Sequence, residues 1–223
     1  MVSTMALVDT LEEQALLEQI LDDSKPRVPA ECRSLHYLLF TPFRYGAPYP
    51  RGSRFRRAGL TPGVFYASLQ AATAIAEMAF WRLLFYAESP ETPWPANAAE
   101  YTAFSVRYSA GKGLDLTRPA LNRDADTWMH PTEYSPCQAL AETAREAGVL
   151  AIRYQSARAA GQNVALLSCA AFASPAPVER QGWRIDVGAM GVRAICNFPE
   201  QRVAFDRSAF ARDPRIAALS WQR

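Results

Sequence analysis

Glu77 is a carboxylate inside an apolar run, QAATAIAEMAFWRLLFYA, over Gln70–Ala87. At helical spacing its neighbours are Thr73, Ala74, Phe80 and Trp81, and Arg82 is five residues on, so no cation sits beside it. An ionised carboxylate among apolar side chains costs several kcal/mol unless something pairs with it. Two readings are open: a structural partner from elsewhere in the chain, or a cleft where the carboxylate acts on a substrate. The second group is the segment FRYGAPYPRGSRFRR, residues 43–57. It carries Arg44, Arg51, Arg54, Arg56 and Arg57 with no acidic residue, interleaved with Tyr45, Gly46, Tyr49, Gly52 and Phe55. Glycines let a backbone approach a ligand closely, and arginines with aromatics suit a phosphate-bearing nucleotide. Five arginines cannot all touch one small ligand, so most belong to the surface. A solvated basic loop, an acidic protein partner and nucleic acid are the competing readings. Third, RYQSAR at Arg153–Arg158 follows a short apolar run and precedes Gly161. There Ser156 is either a donor at a strand end facing a cleft or a simple turn former.

Other chemistries find no support. The chain has no G-x-G-x-x-G after a strand, no Walker A segment, no G-x-S-x-G and no H-E-x-x-H. Only His36 and His130 are available, and both read as structural. Cys32, Cys137, Cys169 and Cys196 lie far apart with no C-x-x-C pair, which predicts no metal site and buried free thiols. Glu12, Glu13 and Glu18 break any signal-peptide pattern, and no apolar run approaches the roughly 18 residues of a membrane span. A cytoplasmic protein is therefore expected, bound to no membrane. The net charge of +2 gives no general attraction to nucleic acid. Of the 24 cations only Lys25 and Lys112 are lysines, so the positive charge is almost all arginine.

The elements that must position these residues read as α+β. Thr10 with Glu13 forms a capping box for a helix carrying Leu11, Ala15, Leu16, Ile20 and Leu21, ended by Pro26 and Pro29. Tyr37–Phe40 reads as a strand and Thr41–Gly63 as a loop. Val64–Ser68 is a buried strand, and Gln70–Ala87 a helix buried on most sides. Tyr101–Tyr108 and Leu114–Leu116 are further strands. Ser135 is the expected N-cap of a helix with Pro136 at its first position, Gln138 completing the cap and Gly148 stopping it. Val149–Arg153, Val164–Ala170, Trp183–Val187, Val192–Cys196 and Gln201–Phe205 make the second half mostly β. The pattern predicts an N-terminal helical segment over residues 1–30. A single α+β domain follows over 31–223, with a mixed-sheet core and flanking helices.

Four segments in this order resemble the RES-domain family, named for its Arg, Glu and Ser. They are Gly52-Ser53-Arg54-Phe55, Gly63-Val64-Phe65-Tyr66-Ala67-Ser68, Thr73-Ala74-Ile75-Ala76-Glu77, and Tyr154-Gln155-Ser156-Ala157-Arg158 with Asn163. Arg54 to Tyr66 spans 12 positions and Tyr66 to Glu77 spans 11, as in the family. Gln155 departs from the family's frequent proline, the stretch between Glu77 and Ser156 is long, and nothing after about Arg180 matches. The resemblance implies an ADP-ribosyltransferase-like fold and a bacterial toxin acting on NAD as its substrate, with no metal. It implies cleavage of the nicotinamide glycosidic bond with transfer of ADP-ribose to a protein target, or degradation of NAD by hydrolysis or phosphorolysis. The implied partner is an antitoxin with a helix-turn-helix domain. Arg54, Tyr66, Glu77 and Ser156 are the implied catalytic set, with Arg54, Tyr66, Ser156 and Arg44 expected to contact NAD. The competing class is a non-enzymatic binding module that grips its partner through the arginine loop.

Overall fold

The computed structural model describes residues 7–44, 52–59, 61–109 and 111–222. Tyr45, Gly46, Tyr49 and Arg51 of the arginine segment lie outside the described residues. The chain opens with α1 (Leu11–Asp23), whose Thr10 and Glu13 make the expected capping box, and which buries no side chain. The next element corrects the sequence reading. Tyr37–Phe40 is no strand but the start of helix α2 (Tyr37–Arg44). His36 explains the difference: its Nδ1 accepts the Leu38 N–H at 3.2 Å, and its carbonyl accepts from Leu39 and Phe40. A four-residue apolar run cannot distinguish the two states, and here a local cap decides.

Strand β1 (Phe65–Ser68) leads into α3 (Ala71–Glu88), the helix that carries Glu77. Strands β2 (Ala99–Ser105) and β3 (Gly113–Asp115) follow, then short α4 (Ala125–Trp128) and α5 (Ser135–Glu146). After them come β4 (Ala151–Gln155), β5 (Gln162–Leu166), β6 (Glu179–Gly188), β7 (Gly191–Asn197), β8 (Glu200–Phe205) and α6 (Pro214–Ala217). The strands divide into two four-stranded sheets, ordered β1-β5-β4-β3 and β2-β6-β7-β8. The first is mixed, since β3 pairs with β4 in parallel while its other pairs are antiparallel; the second is wholly antiparallel. The α+β expectation holds, with the strands shared between two sheets.

Helix α3 lies between them. Its Ile75, Ala76, Ala79, Phe80 and Leu83 pack with Trp183, Ile185 and Val192 of the second sheet. It is buried on most sides, as expected, apart from one stripe where Met78, Trp81 and Phe85 are exposed by 39%, 53% and 49%. One face of the first sheet packs on α5 through Ile152, Tyr154, Ala141 and Ala144, and the other packs on α2 through Phe65, Val164, Leu166 and Leu39. At α5 the cap is also corrected. Tyr134 is the N-cap and makes no side-chain cap bond, Ser135 is already helical, and Gln138 reaches instead to the loop before β1. Gly148 stops the helix at φ +71°, a conformation that suits glycine.

The cysteine reading is corrected in half. Cys32 and Cys169 form a disulfide, their Cα atoms 5.6 Å apart across a sequence separation of 137, while Cys137 and Cys196 are free and buried. Sequence spacing is silent on such a pair, because the fold alone brings the two turns together. Among the described residues no helix is long and apolar enough to cross a membrane.

Candidate active site

The arginine segment reaches the site through a tight turn. Ser53 and Arg56 exchange backbone hydrogen bonds of 2.7 and 3.2 Å, and Gln138 Nε2 of α5 donates to both of their carbonyls. Gly52 enters this turn at φ +65°, where a Cβ would also meet the Arg56 carbonyl at 2.7 Å. Phe55 is 1% exposed and packs edge-on against Tyr154, with ring centroids 4.9 Å apart. Tyr66 of β1 closes the arrangement. Its phenol oxygen accepts the Phe55 N–H at 2.9 Å and shares a 2.8 Å hydrogen bond with Ser53 Oγ. The phenol therefore holds the turn, leaving the half-exposed ring to face a ligand.

Arg54 sits at the turn's tip and stacks on Tyr134, its guanidinium carbon 4.8 Å from the ring centroid. It donates to the Trp128 carbonyl and, at 3.1 Å, to the His130 carbonyl. Two of its five N–H groups are thus committed to the segment before α5, and the Cys137 thiol also lies beside the guanidinium. His130 itself is structural, its Nδ1 accepting the N–H groups of Thr132 and Glu133.

Glu77 is held through one oxygen. Its Oε1 accepts Ser156 Oγ–H at 2.7 Å and Asn163 Nδ2–H at 2.7 Å, and Asn163 is oriented in turn by Ser68 Oγ at 2.6 Å. No cation among the described residues forms an ion pair with Glu77, and none donates a hydrogen bond to its other oxygen. The partner left open by the sequence is thus a pair of neutral donors. Gly161 makes this contact possible, since a Cβ there would run into the Thr73 side chain of α3 and push the β4–β5 turn away. Ser156 is 4% exposed and its oxygen also accepts the N–H groups of Arg158 and Ala159 at 3.0 and 3.1 Å. It acts behind Glu77 as a positioning residue and does not line the cleft.

The resulting cleft has a volume of about 440 Å³, in the usual range for small-molecule sites. Arg54, Tyr66, Glu77 and Asn163 line it together with Tyr134 and Arg158. Tyr154 is buried on its wall, and desolvation pushes its phenol well above the usual value, with the charge of Glu77 adding to the effect. Arg158 has its charge opposed by burial, which lowers it from the ordinary guanidinium range despite nearby Asp213 and Glu77. It lies 3.5 Å over the Phe80 ring and is paired with Asp213 at 3.1 Å.

Arg44 is not brought to the cleft. Its Nε donates to the Pro26 carbonyl at 2.6 Å and its guanidinium is 3.5 Å from Asp22, tying α2 to the end of α1. Arg57 pairs with Glu142 on the surface. Sequence reasoning missed Tyr134 and underrated Arg158 and Asn163, although the last two stood inside the quoted motif. Tyr134 had no signal, because it arrives from the long stretch between Glu77 and Ser156.

The model of the RES domain matches residues 27–187, well over half of the chain. The chain belongs to the RES-domain family. That family is associated with NAD-related activity, which marks this RES domain as an NAD-acting enzyme. No curated protein matches the chain in sequence. The matched span ends inside β6, so β7, β8 and α6 lie beyond it. Asp213, the partner of cleft-lining Arg158, is therefore supplied by residues outside the family match.

Proposed function

We infer that this RES domain cleaves the nicotinamide–ribose bond of NAD and transfers ADP-ribose to a protein, as a bacterial toxin restrained by an antitoxin. The observation that carries this is Glu77: an unpaired carboxylate, aimed by two neutral donors, in a cleft lined by arginines. Nicotinamide departs with the electrons of the C–N bond and becomes neutral, so no acid is needed to expel it. The difficulty is the positive charge developing on the ribose, and a fixed carboxylate beside it stabilises that charge. The nucleophile of the acceptor then bonds the ribose carbon and gives up its proton.

In this reading the cleft-lining Arg54 and Arg158 hold the pyrophosphate. Tyr66 and Tyr134 offer ring faces to nicotinamide or adenine. Ser156 and Asn163 keep Glu77 oriented. The exposed stripe of Met78, Trp81 and Phe85 beside the cleft supports a protein acceptor over water. The enzyme works where NAD is abundant, in the cytoplasm, without a metal and without contacting nucleic acid or membrane directly.

Purified protein incubated with labelled NAD, with and without cell lysate, tests this. Free nicotinamide together with label on a protein is expected. Continuous NAD loss with no labelled protein would replace transfer by hydrolysis or phosphorolysis, and no nicotinamide would remove the enzyme reading altogether. For control of the toxin, a helix-turn-helix antitoxin that covers Arg54 and an NAD analogue should exclude each other in a binding titration.

A further inference from the structure

A second cavity, of about 580 Å³, lies on the other side of β1. Tyr66, Ala67, Ser68 and Ala74 line both cavities, so the groove and the Glu77 cleft share β1 as a common rim. Residues 101–106, in and just after β2, form the groove's other long wall, and Val164, Trp183 and Ile185 contribute its buried floor. Six residues at roughly 3.3 Å each make that wall about 20 Å long.

β1 and β2 are each the end strand of their sheet. Leu69 N–H bonds the Gln162 carbonyl, which continues the β1–β5 ladder. The alternation of that ladder turns Ala67 towards β5 and the main-chain N–H and C=O of Ser68 outward. Edge strands of this kind take up an extended chain by main-chain hydrogen bonds.

Charge selects the kind of chain. Arg54, Arg56 and Arg158 line the cleft, whereas Glu179 is the one charged side chain among the described residues lining the groove. Glu179 is exposed, at the first position of β6. Phosphates belong with the arginines. The groove suits a segment that is apolar on one side and basic near Glu179.

We propose that the groove binds the acceptor segment of the modified protein as an extended peptide. The segment lies along β1, a Lys or Arg meets Glu179, and the acceptor side chain crosses the β1 rim towards Glu77. This rests on the transfer reading above.

The test uses the full chain and two groove variants, Met78→Arg and Glu179→Arg, neither of which touches the cleft. Its probe is a fluorescent acetylated heptapeptide alternating Val and Lys, read by anisotropy. Saturable binding is expected, weakened about tenfold or more by each variant and unaffected by Glu77→Gln, with the Val–Glu counterpart failing to bind. Absence of Val–Lys binding, or binding indifferent to both variants, overturns the groove whether or not transfer occurs. In lysate, both variants should lose at least about tenfold in protein labelling while releasing nicotinamide from NAD alone within about twofold of wild type. Labelling equal to wild type would overturn the proposal, while peptide binding without any protein labelling would overturn transfer and leave a peptide groove.

Discussion

Two carboxylates stand on either side of the Ser156–Arg158 turn and are treated in opposite ways. Asp213 is fully buried and takes two guanidinium groups, Arg215 at 2.8 Å and Arg158 at 3.1 Å. Glu77 takes only a hydroxyl and an amide, both on one oxygen. Both receive hydrogen bonds, and Asp213 is the more deeply buried of the two. Charge is what sets their chemistry apart. The field of Asp213 is cancelled locally and holds α6 to the turn, while that of Glu77 remains available to a cation arriving in the cleft. A carboxylate with only neutral donors is aimed without being neutralised.

The largest expected effect comes from removing the uncancelled charge. Glu77→Gln keeps a carbonyl for Ser156 and Asn163, so its thermal melt should stay near wild type. Nicotinamide release should fall by about 100-fold or more. Near-normal release would erase the contrast between the two carboxylates.

Asp213→Ala should do the reverse, costing about 3–5 kcal/mol in urea denaturation because buried Arg158 loses its counter-charge. pH sharpens this. Burial opposes ionisation of Asp213, but hydrogen bonds from Arg215 and the charges of Arg215 and Arg158 outweigh it and hold the carboxyl below its usual value. Its contribution is therefore fully present above the unfolded-state value, near 3.9, and is lost as pH falls through the lower folded one. Asp213→Asn should flatten that acid limb of the stability curve; an unchanged limb would assign it to other groups.

Smaller effects separate the aiming donors from the anchors. Ser156→Ala and Asn163→Ala each remove one hydrogen bond to a charged group, and each should lower kcat about tenfold with little change in KM. Arg54→Lys should raise KM, since one ammonium cannot serve the Trp128 and His130 carbonyls and a phosphate together. Arg44→Lys should leave both constants within about twofold, as its contacts are with Pro26 and Asp22.

Much of the site was legible because its parts are local motifs. The ordered segments around Arg54, Tyr66, Glu77 and Ser156 carry their spacing in the chain, and four of the five expected site residues gather at one place. Arg44 failed for a simple reason. Composition places it in the arginine segment, but α2 continues through it and turns it towards α1. Tyr134 and Asp213 were invisible, since Tyr134 meets Arg54, and Asp213 meets Arg158, only through long-range contact.

By itself the sequence determined the α+β character, the capping box at Thr10, the helix around Glu77 and the strands of the second half. These follow from periodicity and from side chains that bond within a few residues of themselves. Tertiary structure alone decided that Tyr37–Phe40 is helical, that Cys32 meets Cys169, and that Gln138 braces the Arg54 turn. It also decided that Ser156 stands behind Glu77 while Asn163 faces the cleft. Such outcomes depend on which of several satisfied partners the packing of α3 and β5 brings within about 3 Å, and a one-dimensional pattern holds no record of that choice.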